Sequence, residues 1–292
     1  MKLNLLLIAL FFAVSEAFAE IRKEPDQNPF TPIPANPDSM TAKKNVWVFI
    51  LAGQSNMAGR GIVEAEDTIP NERVLTINQE GEIIPAREPL HWYEPLLTGL
   101  DCGLSFGKTL APHLPDSVTI LILPTAVGGS SISQWIGDST YRNITLLSNF
   151  KEKVALGKAN GTIKGILWHQ GESDTGSEEL IELYQERLKT LFLKFRTEIG
   201  NDSLPVLIGE LGSFSANDTN WQAINRQIRA YVATDPHAAI IQTSDFTHKG
   251  DFIHFNSEGQ RTMGERFALK FLEISHSEGS KGLEIRDWEN RD

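Results

Sequence analysis

Apolar positions along this chain fall into two rhythms that alternate. Short unbroken runs occur at 46–52 (VWVFILA), 118–123 (VTILIL) and 163–168 (IKGILW), and shorter ones open at 205–208 and 239–242. Runs of this length read as strands covered on both faces, as in a parallel sheet. Between them the spacing changes to threes and fours. Leu180, Ile181, Tyr184, Leu188, Leu191, Phe192, Phe195 and Ile199 predict a long helix, with Thr175 and Glu178 as a capping box ahead of it. Trp221, Ile224, Ile228 and Tyr231 predict a helix over 220–234; others are expected over 257–273, with Ser257 as N-cap, and over 104–114. A short helix is expected directly after the first strand. The alternation predicts an α/β fold: a three-layer α/β/α sandwich on a doubly wound, mainly parallel sheet of about five strands. The stretch 60–103 departs from the rhythm. Residues 73–78 and 82–86 flank Gln79-Glu80-Gly81 and predict a small hairpin inserted at the rim.

The ends have a different composition. Lys2, an apolar run over 3–14 broken only by Asn4, and Ala17-Phe18-Ala19 predict a signal peptide over 1–19, cleaved near Ala19, and a secreted or periplasmic protein. The run is shorter than the roughly 20 residues a bilayer span needs, so no membrane association is expected after cleavage. Residues 20–44 hold Pro25, Pro29, Pro32, Pro34 and Pro37 and read as a Pro-rich linker or arm. One domain is expected over 45–275 and a polar tail over 276–292. The net charge of −11 argues against nucleic acid or anionic lipid as partners. Cys102 is the one cysteine in the sequence, so it has no disulfide partner there; it is expected to be a buried apolar residue. Asn143, Asn160, Asn201 and Asn217 open N-x-Ser/Thr triplets, which matter only in a host that glycosylates exported chains.

Open parallel sheets bind ligands beyond the carboxyl ends of their strands, which is where chemistry is to be sought. After the first strand comes Gly53-Gln54-Ser55-Asn56-Met57. It lacks the second glycine of a G-x-S-x-G elbow, and Ser55 by itself is equally a helix cap or a nucleophile. After the second strand, Gly128-Gly129 allows close backbone approach and leaves an N–H to donate. After the third comes Trp168-His169-Gln170-Gly171-Glu172; the Gln170 amide is a candidate oxyanion donor, Glu172 an acceptor standing behind the reacting groups, and His169 a packing residue. After the fifth comes Asp251-Phe252-Ile253-His254, an acid and a base three apart. Asp245 and His248 repeat that spacing, but the later pair directly precedes the closing helix. Nucleophile, base, orienting acid and oxyanion donors at strand ends facing one rim form the inventory of ester hydrolysis.

With these residues assembled, the chain resembles the SGNH-type hydrolases, in the branch of sialate O-acetylesterases and acetylxylan esterases (carbohydrate esterase family 6 and relatives). The resemblance is carried by GQSNMAGRG at 53–61, EPL at 88–90, GGSSISQW at 128–135, WHQGESD at 168–174 and DFIHFNSEGQRTMGERFA at 251–268. It implies a flavodoxin-like α/β/α fold, no metal or other cofactor, and removal of O-acetyl groups from a carbohydrate such as acetylated xylan, sialic acid or a related glycan. It implies Ser55 as nucleophile, His254 as base and Asp251 as its orienter. Ser55 N–H, Gly129 N–H and the Gln170 side chain would form the oxyanion hole, with Gln54, Asn56, Gly128 and Glu172 supporting them. Gly-Gln-Ser stands where the wider superfamily has Gly-Asp-Ser, and Gln170 where it has Asn; both suit this branch. Which of Gly128 and Gly129 donates stays open, and Trp92, Tyr93 and Trp135 are candidates for stacking on sugar faces as much as for the core. Two other readings compete: a carbohydrate-binding protein without catalysis, and a metal-dependent deacetylase built on His248, Asp251 and His254, which leaves Ser55 and Gln170 without a use.

Overall fold

The computed structural model describes residues 43–277. The expected signal peptide, most of the Pro-rich arm and the tail after residue 277 lie outside the described residues. The chain enters through β1 (Val46–Gly53), turns into the one-turn helix α1 (Ser55–Ala58), and continues through β2 (Val74–Ile77), β3 (Ile83–Pro85), α2 (Gly103–Leu110) and β4 (Thr119–Pro124). Next come α3 (Ile132–Ile136), a small hairpin of β5 (Thr140–Tyr141) and β6 (Ile144–Thr145), α4 (Leu146–Asn160) and β7 (Thr162–His169). The last third holds α5 (Glu178–Glu182), α6 (Tyr184–Ile199), β8 (Val206–Gly209), α7 (Asp218–Val232), β9 (Ala238–Ile241) and α8 (Ser257–Ser277).

The main sheet has seven strands in the order β3-β2-β4-β1-β7-β8-β9. Every pairing is parallel except that of β2 with β3. The α/β/α class is as expected, but the strand count is higher. The hairpin expected at the rim is part of the sheet instead: Val74 and Leu75 pair in parallel with Ile120 and Leu121 of β4, and β3 closes that edge. Four residues of polar-flanked sequence carried too little periodicity to show this; what commits β2 to the sheet is burial of Val74 and Ile77 against neighbours distant in sequence.

β1 lies at the centre and all eight of its residues are buried. Its side chains alternate between two cores. Val46, Val48, Ile50 and Ala52 face a cluster with Trp135, Phe150, Trp168, Phe192 and Phe195, under α3, α4, α6 and α7. Trp47, Phe49 and Leu51 face a second cluster with Phe106, Met263, Phe267 and Phe271, under α2 and α8. A bulge in β7, opposite Val48 and Phe49, keeps Ile163, Ile166 and Trp168 on the first side.

Helix boundaries differ in instructive ways. The long helix is broken at Leu183, and its N-cap is Ser177, whose Oγ accepts from Leu180 N–H at 3.3 Å. Thr175 does not cap it; its hydroxyl donates to Glu172 O at 2.8 Å. α2 ends at Leu110 and passes into a 3-10 turn over Ala111–His113, where Pro112 removes a backbone donor. α8 runs to Ser277, into the expected tail. Cys102 is fully buried, as expected, and burial pushes its thiol pKa up.

Candidate active site

The sheet winds outward on both sides of β1, so the carboxyl ends of β4, β1 and β7 form one crevice. Where β1 ends, Gly53 has φ +140°, and a Cβ there would lie 2.1 Å from the carbonyl oxygen of His169. Only a glycine lets the two strand ends come this close. Gln54 N–H then donates to that carbonyl at 3.0 Å, and the chain turns so that Ser55 opens α1 at the floor of the crevice.

Residues 251–254 form a bend, not a helical turn. Asp251 Oδ1 accepts from the N–H groups of Ile253 at 3.0 Å and His254 at 2.8 Å, which folds the segment back on itself. That fold sets Asp251 Oδ2 2.7 Å from His254 Nδ1 and leaves His254 Nε2 3.0 Å from Ser55 Oγ. Partial burial works against the Asp251 charge, but hydrogen bonds from the His254 backbone, the His254 ring and Ile253 N–H outweigh it and hold the carboxyl at about 2. Asp245 and His248, the competing pair, are employed elsewhere. Asp245 binds Arg266 through both oxygens. His248 Nδ1 accepts from Gly250 N–H at 2.9 Å, and its ring stacks on Phe252.

Asn56 clamps the loops around this chain of groups. Its Nδ2 donates to Glu172 Oε1 at 2.7 Å and Ile253 O at 3.2 Å, while its Oδ1 accepts from Phe255 N–H at 3.0 Å. Glu172 thus holds Asn56 and also lines the cleft. His169 is fully buried, bonded to Glu210 O at 2.9 Å, and burial lowers its pKa.

The backbone donors separate cleanly. Gly128 N–H is taken by Glu94 Oε2 at 2.6 Å. Gly129, with φ +81°, and Ser55 have backbone N–H groups that meet no acceptor among the described residues. Gln170 is not where it was expected. Its side chain is fully buried, and Nε2 donates to Gln54 Oε1 at 2.9 Å, Asp174 Oδ2 at 2.7 Å and Ser130 O at 3.1 Å. Two amide hydrogens facing three acceptors leave none for the crevice. Gln54, expected only as support, lines the crevice, and its Nε2 has no partner among the described residues.

The crevice is an open cleft of about 540 Å³. Ser55, Gly129, Glu172 and His254 line it, with Arg142 and Lys249 at its edge and Leu96 at its mouth. Of the two readings open for Trp92, Tyr93 and Trp135, the core one fits: none of the three lines the cleft. Trp135 is fully buried with Nε1 on Ser130 Oγ at 2.9 Å, and Tyr93 turns its hydroxyl to Pro124 O at 2.9 Å. Trp92 packs against the first core cluster. Arg142 and Leu96 had no signal in the sequence: one sits at a hairpin tip, the other in an irregular segment.

Residues 45–273 match the model of the family described as carbohydrate esterase, sialic acid-specific acetylesterase (SASA). A probable carbohydrate esterase of Arabidopsis thaliana is 27% identical over 245 residues, 77% of this chain and 90% of the relative. A solved Arabidopsis thaliana structure superposes with a TM-score of 0.70 at 25% identity, over 79% of this chain and 98% of the other. The structure of NanS gives a TM-score of 0.65 at 16% identity, over 81% of this chain and 99% of the other, a likeness of fold.

Proposed function

The chain belongs to the SASA family of carbohydrate esterases and is a carboxylic ester hydrolase, and from that premise we propose that it removes O-acetyl groups from carbohydrate with Ser55 as nucleophile. The observation that carries the reading is the unbroken path Asp251–His254–Ser55, at 2.7 and 3.0 Å. His254 Nε2 takes the hydroxyl proton as Ser55 Oγ attacks the acetyl carbonyl. The carbonyl oxygen, as it becomes anionic, meets the N–H groups of Ser55 and Gly129, which have no other acceptor among the described residues. The imidazolium, held by Asp251, returns the proton to the departing sugar oxygen. A water deprotonated by the same ring then attacks the acyl-enzyme, and acetate leaves. Gln170 acts at one remove, fixing Gln54 against the cleft floor.

Family membership sets aside a sugar-binding role without catalysis. The acetylated glycan is xylan, sialic acid or a related sugar, and action outside the cytoplasm rests on the pattern from Lys2 to Ala19. Acetate release from a panel of acetylated glycans and a simple acetyl ester tests both chemistry and substrate. Ser55→Ala lowers turnover by about 10³-fold or more with an unchanged melting temperature; equal turnover by the variant overturns the assignment.

A further inference from the structure

Residues 88–101 connect β3 to α2 without regular structure, yet they bury His91, Glu94 and Asp101. His91 and Glu94 each take a backbone N–H from the loop that carries Gly129, and Asp101 holds His91. Beyond β4 that loop keeps the alternation of a strand. On one side, Thr125 N–H donates to Leu51 O at 2.8 Å and Val127 N–H to Gly53 O at 3.1 Å, both on β1. On the other side a neighbouring strand is missing, because β2 pairs with β4 only as far as Leu121. Side chains replace it. Ala126 N–H donates to His91 Nε2 at 3.2 Å, Gly128 N–H to Glu94 Oε2 at 2.6 Å, and Tyr93 OH to Pro124 O at 2.9 Å. The alternation stops at Gly129, which has a positive φ and whose N–H meets no acceptor among the described residues.

We propose that His91 and Glu94 are positioning residues for oxyanion binding: they stand in for a strand, hold 126 and 128 in extended geometry, and so present the Gly129 N–H to the cleft. The proposal rests on the reading of Ser55 as nucleophile. Each acceptor is itself anchored. Because His91 Nε2 accepts from a backbone N–H, its proton is on Nδ1, which donates to Asp101 Oδ2 at 2.8 Å. Asp101 Oδ1 in turn takes Gly103 N–H at 2.6 Å, tying the pair to the start of α2. Glu94 is buried between Arg60 Nη2, at 2.9 Å, and Arg142 Nη1. Fully buried charges are a poor way to gain stability, since their desolvation offsets most of their attraction. Their use here is geometric. Without an acceptor, a buried N–H at 126 or 128 must turn to find one, and the peptide leading into Gly129 turns with it. Gly128 packs directly on these anchors: a Cβ there would lie 2.1 Å from Arg60 Nη2 and 2.6 Å from Glu94 Oε2.

The test compares His91→Leu, His91→Gln and Glu94→Asp with wild type, by steady-state kinetics on p-nitrophenyl acetate and by hydrogen exchange of peptides covering 124–129. Leucine removes both bonds. Glutamine keeps them, with Oε1 for Ala126 and Nε2 for Asp101. Aspartate keeps the charge against Arg60 but withdraws the acceptor from Gly128. Loss of an oriented donor appears in kcat, so His91→Leu and Glu94→Asp lower kcat by about 10- to 100-fold with KM within about threefold. Both speed exchange over 124–129, and His91→Gln returns kcat to within about threefold of wild type. A folded His91→Leu or Glu94→Asp with wild-type kcat, or wild-type exchange over 124–129, overturns the proposal. So does a His91→Gln no better than His91→Leu. If His91→Leu does not fold, Glu94→Asp and His91→Gln decide it alone. Wild-type protein without any esterase activity sinks the Ser55 reading separately, and exchange then decides whether His91 and Glu94 hold the loop.

Discussion

At Asp251 two opposing effects meet. Burial penalises the carboxylate, while two backbone N–H groups and the His254 ring favour it, and the second set prevails, leaving the group ionised down to about pH 2. A carboxyl whose folded pKa is depressed stabilises the fold above its unfolded value of about 3.9, and that contribution fades as pH falls through the folded value. Between these limits Asp251 keeps its charge and orients the ring. Denaturant unfolding at about pH 4 and pH 2 checks this: the wild type is expected to lose more stability over that interval than Asp251→Asn, and equal losses show that the carboxyl is not held low. At this scale the sequence was partly readable. Asp251, His254 and Ser55 stood out because their residue types and positions at strand ends match one chemistry. Gln170 pointed to the wrong partner: an amide carries no mark of which acceptor will reach it, and Asp174 and Gln54 reach it first.

Among the elements, the junction of β1 with α1 carries the tightest constraint. Gly53 combines φ +140° with a Cβ position 2.1 Å from the carbonyl oxygen of His169. Gly53→Ala therefore forces β1 and β7 apart at the point where Ser55 is set. It costs at least about 3 kcal/mol, read by calorimetry as a melting temperature lower by roughly 6–12 °C. A change within about 2 °C shows that the strand ends have slack. Except for α4 (Leu146–Asn160), which was not foreseen, long elements were legible to within a few residues, since α7 spans Asp218–Val232 against an expected 220–234, and β7 spans Thr162–His169 against 163–168. The short ones were not. β5, β6 and α3 offer too few residues to show a period, and β2 became a sheet strand only through contacts with β4.

Across the described domain, the cleft depends on two cores, one on each face of the sheet, with Phe214 packed against both. Phe49 illustrates the coupling: its ring is 4.8 Å from that of Phe106 in α2 and 4.9 Å from that of Phe271 in α8, both edge-on. Phe49→Ala leaves a cavity there and costs about 3–5 kcal/mol. The expected result is a melting temperature lower by roughly 10 °C with kcat per titrated active site unchanged, because no cleft group touches Phe49. A kcat loss larger than the loss of titratable sites shows that strain in this core reaches the crevice.

By itself the sequence determined the layers, the parallel run of the strands and the set of chemical groups placed at their ends. These depend on burial and on covalent order, and periodicity records burial residue by residue. Only the tertiary structure decided which strands adjoin, and which donor each acceptor takes. Gly128 and Gly129 show why. The two residues are identical and adjacent, and one N–H is used up by Glu94, brought across from another segment by folding. A hydrogen can be donated once, so the free N–H is known only when every other partner has been placed.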